Sequence, residues 1–249
     1  MEKIRLQKFF TDSGIMSRRR CEDAIVGGRI TVNGIAASLG DRVDPETDTV
    51  ALDGAAVTYS GGIGRTYIML NKPMGYVTTL SDEQGRKNVS SLVEGCGKRV
   101  YPVGRLDMYS EGLLLLTDDG DLANTLTHPA AGSEKVYRLT VKGDRGEEFA
   151  EAMRSPMELD GYRLRPVGCT FIGAGEMTKD AKESSVYEVV LREGRNRQIR
   201  RMCEIIGVKV VRLERIAEGT IRLGDLPRGQ WRYLDDGEIA ALKAIKPKK

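Results

Sequence analysis

The stretch from Gly104 to Gly120 reads GRLDMYSEGLLLLTDDG. Its four consecutive leucines, Leu113 to Leu116, constrain the fold more than any other feature of the chain. A continuous apolar run bounded by Gly112 and by Asp118-Asp119-Gly120 reads as a buried strand that ends in a tight turn. The segment DLANTLTHP that follows reads as a short helix stopped before Pro129. Asp107 stands six residues ahead of the strand, where it has no turn to form and no evident helix to cap. An acid on a loop anchored by a buried strand is one way to present a catalytic carboxylate; an architectural role is the other reading.

The surrounding pattern sets the fold class. TYIMLNKPMGYVTT reads as a strand, a Pro-containing break and a second strand. Candidate helices cover Asp121 to Leu126, Gly146 to Arg154 and Asn196 to Ile206, and the order does not repeat strand–helix–strand units. The expectation is an α+β domain with a mostly antiparallel mixed sheet. Upstream, Leu6, Phe9 and Phe10 recur at helical spacing until Gly14. Ser17 is a candidate N-cap for a second helix, with Cys21, Ala24 and Ile25 on one face and Arg18, Arg19 and Glu22 on the other. RITVNG reads as a strand and a turn at Asn33-Gly34, and short strands are expected near 41–43 and 49–52. YSGGIGR, with three glycines in seven residues, reads as a linker. The organisation expected is a small domain over 1–58, a linker over 59–66, a larger domain over 67–240 and a basic tail over 241–249.

Charge narrows the partners. The net charge is only +3, but 192–215 holds eight basic residues against three acidic ones, and 1–35 holds seven against four. Two basic islands on a nearly neutral chain fit a polyanion bound at two places; solvated helix faces are the alternative. No apolar run approaches the length of a membrane span, and MEKIRLQKFF lacks a signal-peptide core, so a cytoplasmic protein without membrane contact is expected. Four scattered cysteines and one His, His128, argue against a structural zinc site, and His128 is read as structural.

RLQKFFTDSGIMSRRRCEDAIVGGRITVNG resembles the alpha-L RNA-binding module found in a small-subunit ribosomal protein, in tyrosyl-tRNA synthetases and in several RNA-modifying enzymes. The resemblance implies that the second helix lays Arg18 and Arg19 against a phosphate backbone, which Arg forks bind bidentately.

VYPVGRLDMYSEGLLLLTDDGDLANTLTHP is similar to the signature of the ribosomal RNA pseudouridine synthases that carry such a module. LNKPMG, EKVYRLTV, EGRNRQIRRM and RLERIAEGTIRLGDLPRGQW follow in the family's order. Many relatives have Asn where this chain has Asp118, a turn substitution. The resemblance implies a cofactor-free isomerisation in which Asp107 attacks the ribose or removes its 2′ proton through a glycal. It assigns Arg200 as the partner of Asp107 and Tyr137 as the residue against the uracil. By the same resemblance Leu213 lines the pocket and Arg105 fills the space left by the extruded nucleotide. On a helical projection Arg200 falls at the border of the apolar face, while Arg197 and Arg201 point to solvent or RNA and Glu204 competes for Arg200. Lys72 and Arg86 complete the expected substrate-binding set, Lys72 by shaping the site and Arg86 from a loop at 82–87. The expected partner is ribosomal RNA, with the large-subunit branch favoured, and the expected state is a monomer. A catalytically silent ribosome-assembly factor on the same fold, or the small-subunit enzyme, remains the alternative.

Overall fold

Leu6, Phe9 and Phe10 are each at most 1% exposed and seed the first core of the protein. They lie on α1 (Leu6–Asp12), which follows β1 (Ile4–Arg5) and packs on α2 (Arg18–Val26) through Cys21, Ala24 and Ile25. The Ser17 hydroxyl caps α2 by accepting the Arg20 amide at 3.2 Å. β2 (Ile30–Val32), β3 (Ile35–Ala36), β4 (Arg42–Val43), β5 (Val50–Leu52) and β6 (Ala55–Val57) follow. The antiparallel order is β3-β2-β5-β6, with β1 paired to β4. Asn33 and Gly34 take φ of 52° and 81°, the double positive φ that a two-residue hairpin turn demands. In the segment read as a linker, Tyr59 stacks on Phe9 with ring centroids 5.1 Å apart.

The computed structural model describes residues 2–60, 64–128, 133–143, 145–175 and 183–245. The chain divides into two compact units, Met1–Thr66 with Gly97–Val100 and Asp118–Gly120, and the remainder. Residues 61–63 of the expected linker lie outside the described residues.

The rest of the chain builds a nine-stranded sheet. Its strands are β7 (Tyr67–Lys72), β8 (Tyr101–Pro102), β9 (Glu111–Thr117), β10 (Lys135–Lys142), β13 (Gly168–Ala174), β14 (Ser184–Leu191), β15 (Val210–Glu218), β16 (Ile221–Arg222) and β17 (Trp231–Tyr233). β11 (Glu158–Leu159) and β12 (Tyr162–Arg163) form a separate hairpin. The helices are α3 (Gly120–Thr127), α4 (Gly146–Arg154), α5 (Gln198–Ile206) and α6 (Asp236–Lys243). The sheet order is β13-β14-β10-β15-β9-β7-β17, antiparallel except where β15 meets β9. The predicted mostly antiparallel mixed sheet is thus found.

All seven residues of β9 are buried. Leu113 and Leu115 join a core with Leu122 and Leu126 of α3 and Leu242 of α6, while Leu114 and Leu116 are buried on the other face. A strand covered on both sides has no solvent face, which is why the leucines run without alternation. Gly112 permits the parallel join, since a Cβ there would stand 2.8 Å from the Arg215 amide nitrogen.

Three expectations are corrected. The second strand of TYIMLNKPMGYVTT reduces to one bridge, Val77 to Asn88, because 73–76 leave the sheet at Pro73. The helix expected from Asn196 starts at Gln198, because Arg197 adopts a left-handed φ of 50° and ends the preceding loop. α6 was not foreseen. A reciprocal Asp235–Glu238 capping box starts it, and it carries Leu242 and Lys243 of the segment read as a tail, of which 246–249 lie outside the described residues.

Candidate active site

The loop that bears Asp107 is held by its own main chain. Each carbonyl from Leu106 to Ser110 receives a donor. The Thr78 hydroxyl donates to Leu106 at 2.7 Å, the Gly75 amide to Met108 at 2.7 Å and the Arg200 guanidinium to Tyr109 at 2.6 Å. The Asp107 carbonyl accepts the Ser110 amide at 3.0 Å and the Lys72 ammonium at 3.1 Å, and Lys72 also donates to Ser110 at 2.8 Å. Lys72 is 0% exposed. Burial pulls its ammonium down to about 8, against the attraction of Asp107 and Glu111. Lys72 is therefore a clamp beneath the loop that bears Asp107.

Arg200 reaches this loop from α5 as expected, by a different contact. Its guanidinium holds the Tyr109 carbonyl, two residues beyond Asp107, and acts on Asp107 through charge. Burial lowers the Arg200 guanidinium, and the Asp107 charge opposes that fall. Ile199, Met202 and Cys203 form the buried face of α5.

Asp107 lines a cavity of about 500 Å³ together with Arg105, Tyr137, Leu213 and Arg197. That volume falls within the roughly 300–1,000 Å³ typical of small-molecule sites. Tyr137 of β10 and Leu213 of β15 are 9% and 5% exposed. Arg215, 1% exposed, stands opposite Tyr137 in the sheet: its Nε donates to the Leu113 carbonyl at 2.7 Å, and its guanidinium lies beside the Tyr137 hydroxyl. Glu218, 2% exposed, sits 3.2 Å from Arg215 and 3.6 Å from the Lys135 ammonium. Burial holds the Tyr137 hydroxyl above the usual phenol range. Sequence reasoning singled out none of Arg215, Glu218 and Lys135 as site residues, because charged residues inside strands carry no signal of the face they take.

The lining carries seven Arg and Lys side chains against three Asp and Glu, a net positive wall suited to a polyanion. Glu193 braces the rim, its carboxylate accepting the Arg165 amide at 3.0 Å and the Gln198 amide group at 3.2 Å. Arg195 lies over the Tyr162 ring, 3.1 Å from its centroid. His128 also lines the cavity.

The remaining expected residues are spread more widely. Arg201 makes a bidentate pair with Asp160 at 2.6 and 2.8 Å, so its charge is offset within the protein. Glu204 makes its contact with Arg197, at 3.4 Å, and acts on Arg200 through charge alone. Arg86 closes on Asp82 within its own loop, at 2.6 Å, and is less free for RNA than expected. Arg18 and Arg19 are exposed in the first turn of α2.

Comparison with known proteins identifies the family. Residues 66–205 match the RNA pseudouridylate synthase family, and residues 4–50 match the S4 domain. The chain is 39% identical over 248 residues to an uncharacterized RNA pseudouridine synthase of Aquifex aeolicus, covering 98% of this chain and 96% of the relative. It is 34% identical over 242 residues to the ribosomal large subunit pseudouridine synthase B of Bacillus subtilis, covering 97% and 96%. It is 37% identical over 243 residues to the dual-specificity RNA pseudouridine synthase RluF of Escherichia coli, covering 96% and 78%. A crystal structure of a pseudouridylate synthase superimposes with a TM-score of 0.63 at 27% identity, covering 96% of this chain and 99% of the other. The chain belongs to the RNA pseudouridylate synthase family and carries an S4 domain at its N-terminal end.

Proposed function

We propose that the protein converts uridine to pseudouridine in ribosomal RNA, with large-subunit rRNA as its target and Asp107 as the group that acts on the ribose. The observation that carries this reading is the Asp107 loop, fixed at five successive carbonyls beside a positively lined cavity. A reaction at a buried sugar requires a carboxylate whose position does not drift, and main-chain anchoring supplies that without consuming the carboxylate's own oxygens.

The chemistry balances without a cofactor. The bond from C1′ to uracil N1 breaks, the ring turns, and C5 bonds to C1′. The C5 proton then leaves and N1 gains one from solvent. Asp107 opens the sequence, either by adding to C1′ and leaving again as C5 bonds there, or by taking the 2′ proton and returning it as C5 bonds, and the arrangement serves either route. Tyr137 and Leu213 flank the uracil, and Tyr137 assists loss of the C5 proton. A stacked nucleotide cannot present its C1′ to a carboxylate, so the uridine must turn out of its helix, at a cost of a few kcal/mol, and Arg105 fills the gap. Arg18 and Arg19 grip the phosphate backbone. The large-subunit target draws support from the Bacillus subtilis relative named for that activity.

Release of tritium from rRNA labelled at uridine C5 tests this. Wild type should release it from large-subunit rRNA, and Asp107→Asn should be slower by at least about 100-fold. Equal rates in the two proteins would refute the assignment of Asp107. Release confined to small-subunit rRNA would overturn the target.

A further inference from the structure

The register of β15 against β10 holds a feature that the pseudouridine synthase reading does not use. Lys135 pairs with Glu218 and Val136 with Ala217, but Tyr137 pairs with Arg215, so Ile216 is an extra residue. In a regular strand residues three apart face opposite sides of the sheet. The bulge at Ile216 cancels one alternation and turns Arg215 and Glu218 to the same face. Tyr137 and Lys135, two apart on β10, share that face, and all four side chains line the cavity. The bulge is itself secured, since the Ile216 carbonyl accepts the Leu223 amide at 2.9 Å.

The result is a row of alternating charge. The Lys135 ammonium stands 3.6 Å from one Glu218 oxygen, and the other Glu218 oxygen stands 3.2 Å from Arg215. The Arg215 guanidinium in turn lies beside the Tyr137 hydroxyl. Two charges at 1% and 2% exposure are costly to bury, and an architectural role alone is served as well by apolar residues of similar volume.

We propose that Glu218 is a positioning residue, which holds the Arg215 guanidinium against the Tyr137 hydroxyl and cancels its charge there. The consequence is a Tyr137 that rests as a neutral phenol with a fixed orientation against an uncharged uracil ring, so that it assists loss of the C5 proton as a relay, its hydroxyl giving its own proton to solvent as it takes the ring's, and not as a phenolate base. Tyr137 faces Arg215 and Glu218 from β15, Lys135 from its own strand and Asp107 from the loop. Arg215 pulls its hydroxyl towards ionisation, and Glu218 and Asp107 oppose that. This deepens the proposed function, because it concerns the tyrosine of the same site, but its test does not depend on turnover.

The test measures ionisation of Tyr137 by ultraviolet tyrosinate absorbance in the full chain, with Tyr137→Phe subtracted, at the most alkaline pH at which all proteins remain folded. Glu218→Gln keeps the shape and removes the charge, and should raise the ionised-to-neutral ratio of Tyr137 about tenfold. Glu218→Asp should return it towards wild type. A ratio in Glu218→Gln equal to or below that of wild type overturns the proposal. Where Glu218→Gln does not fold, Lys135→Met carries the test with opposite sign. Stripping Glu218 of its second cation should lower the ratio, and an unchanged or higher ratio overturns the proposal.

Discussion

The Lys72 ammonium stands 3.1 Å from the carbonyl oxygen of Asp107 and 2.8 Å from that of Ser110, so one buried cation fastens both ends of the turn that presents the candidate carboxylate. Replacing Lys72 by Met fills the same space but removes the donor of the Ser110 carbonyl and one of the two donors of the Asp107 carbonyl. The turn then relies on the Thr78, Gly75 and Arg200 contacts and on its own Ser110–Asp107 hydrogen bond. A displacement of about 1 Å at a reacting group costs on the order of 100-fold. Lys72→Met should therefore lower kcat by roughly 10- to 100-fold with KM little changed. Steady-state tritium release decides it, and a KM effect with normal kcat would return Lys72 to RNA contact.

The same lysine links stability to pH. Its ordinary value is 10.5, and burial brings it to about 8 in the folded protein. Below about 8 both states hold the proton. Between about 8 and 10.5 the folded state has released it while the unfolded chain keeps it, so unfolding takes up a proton. Because the unfolded state then binds more protons, this group makes stability rise with pH across that window. Denaturant unfolding of wild type and Lys72→Met at several pH values should show the gap between them shifting in favour of wild type as pH rises from about 8 to 10.5. A gap that does not change with pH would mean that Lys72 keeps an ordinary proton affinity.

How much of this was legible in the sequence depends on how local the cause is. The buried strand at Leu113 to Leu116, the Ser17 cap and the apolar face of α5 follow from periodicity within a few residues. The value of Asp107 came from family resemblance, since an acid ahead of a strand has several readings. Its anchoring escaped notice because it runs through carbonyls, which carry no residue signature, to Lys72, Gly75, Thr78 and Arg200. The depth of Lys72 gave no signal of its own, because a lysine is almost never fully buried. Arg215 and Glu218 stayed hidden because the bulge at Ile216 breaks the two-residue period on which strand faces are assigned.

Gly112 tests the join between the two halves of the sheet. It takes a φ of +100°, and a Cβ there would meet the Arg215 backbone nitrogen at 2.8 Å and its carbonyl carbon at 3.0 Å. Neither neighbour is a flexible side chain, so β9 and β15 must move apart to admit a methyl group. Gly112→Ala should cost on the order of 3 kcal/mol in denaturant unfolding, from strain of the backbone together with overpacking. Arg215 rides on the displaced strand, so activity should fall even where the variant is folded. A variant as stable as wild type would show that the parallel join is looser than its register indicates.

Arg18, Arg19 and Arg20 occupy the first turn of α2, which contains no acidic residue. The helix dipole favours anions at that end, so cations there cost stability, typically about 0.3–1 kcal/mol each. Three exposed arginines stand where one acid would serve the helix better, a cost that the proposed grip on the phosphate backbone would explain. Arg18→Gln/Arg19→Gln should therefore leave the fold intact and slightly raise Tm. Loss of two phosphate contacts should also flatten the dependence of log binding constant on log salt by about 1.4–1.8. Filter binding of rRNA fragments over a salt series measures that slope. An unchanged slope in the double variant would remove these arginines from the RNA interface, whatever happens to Tm.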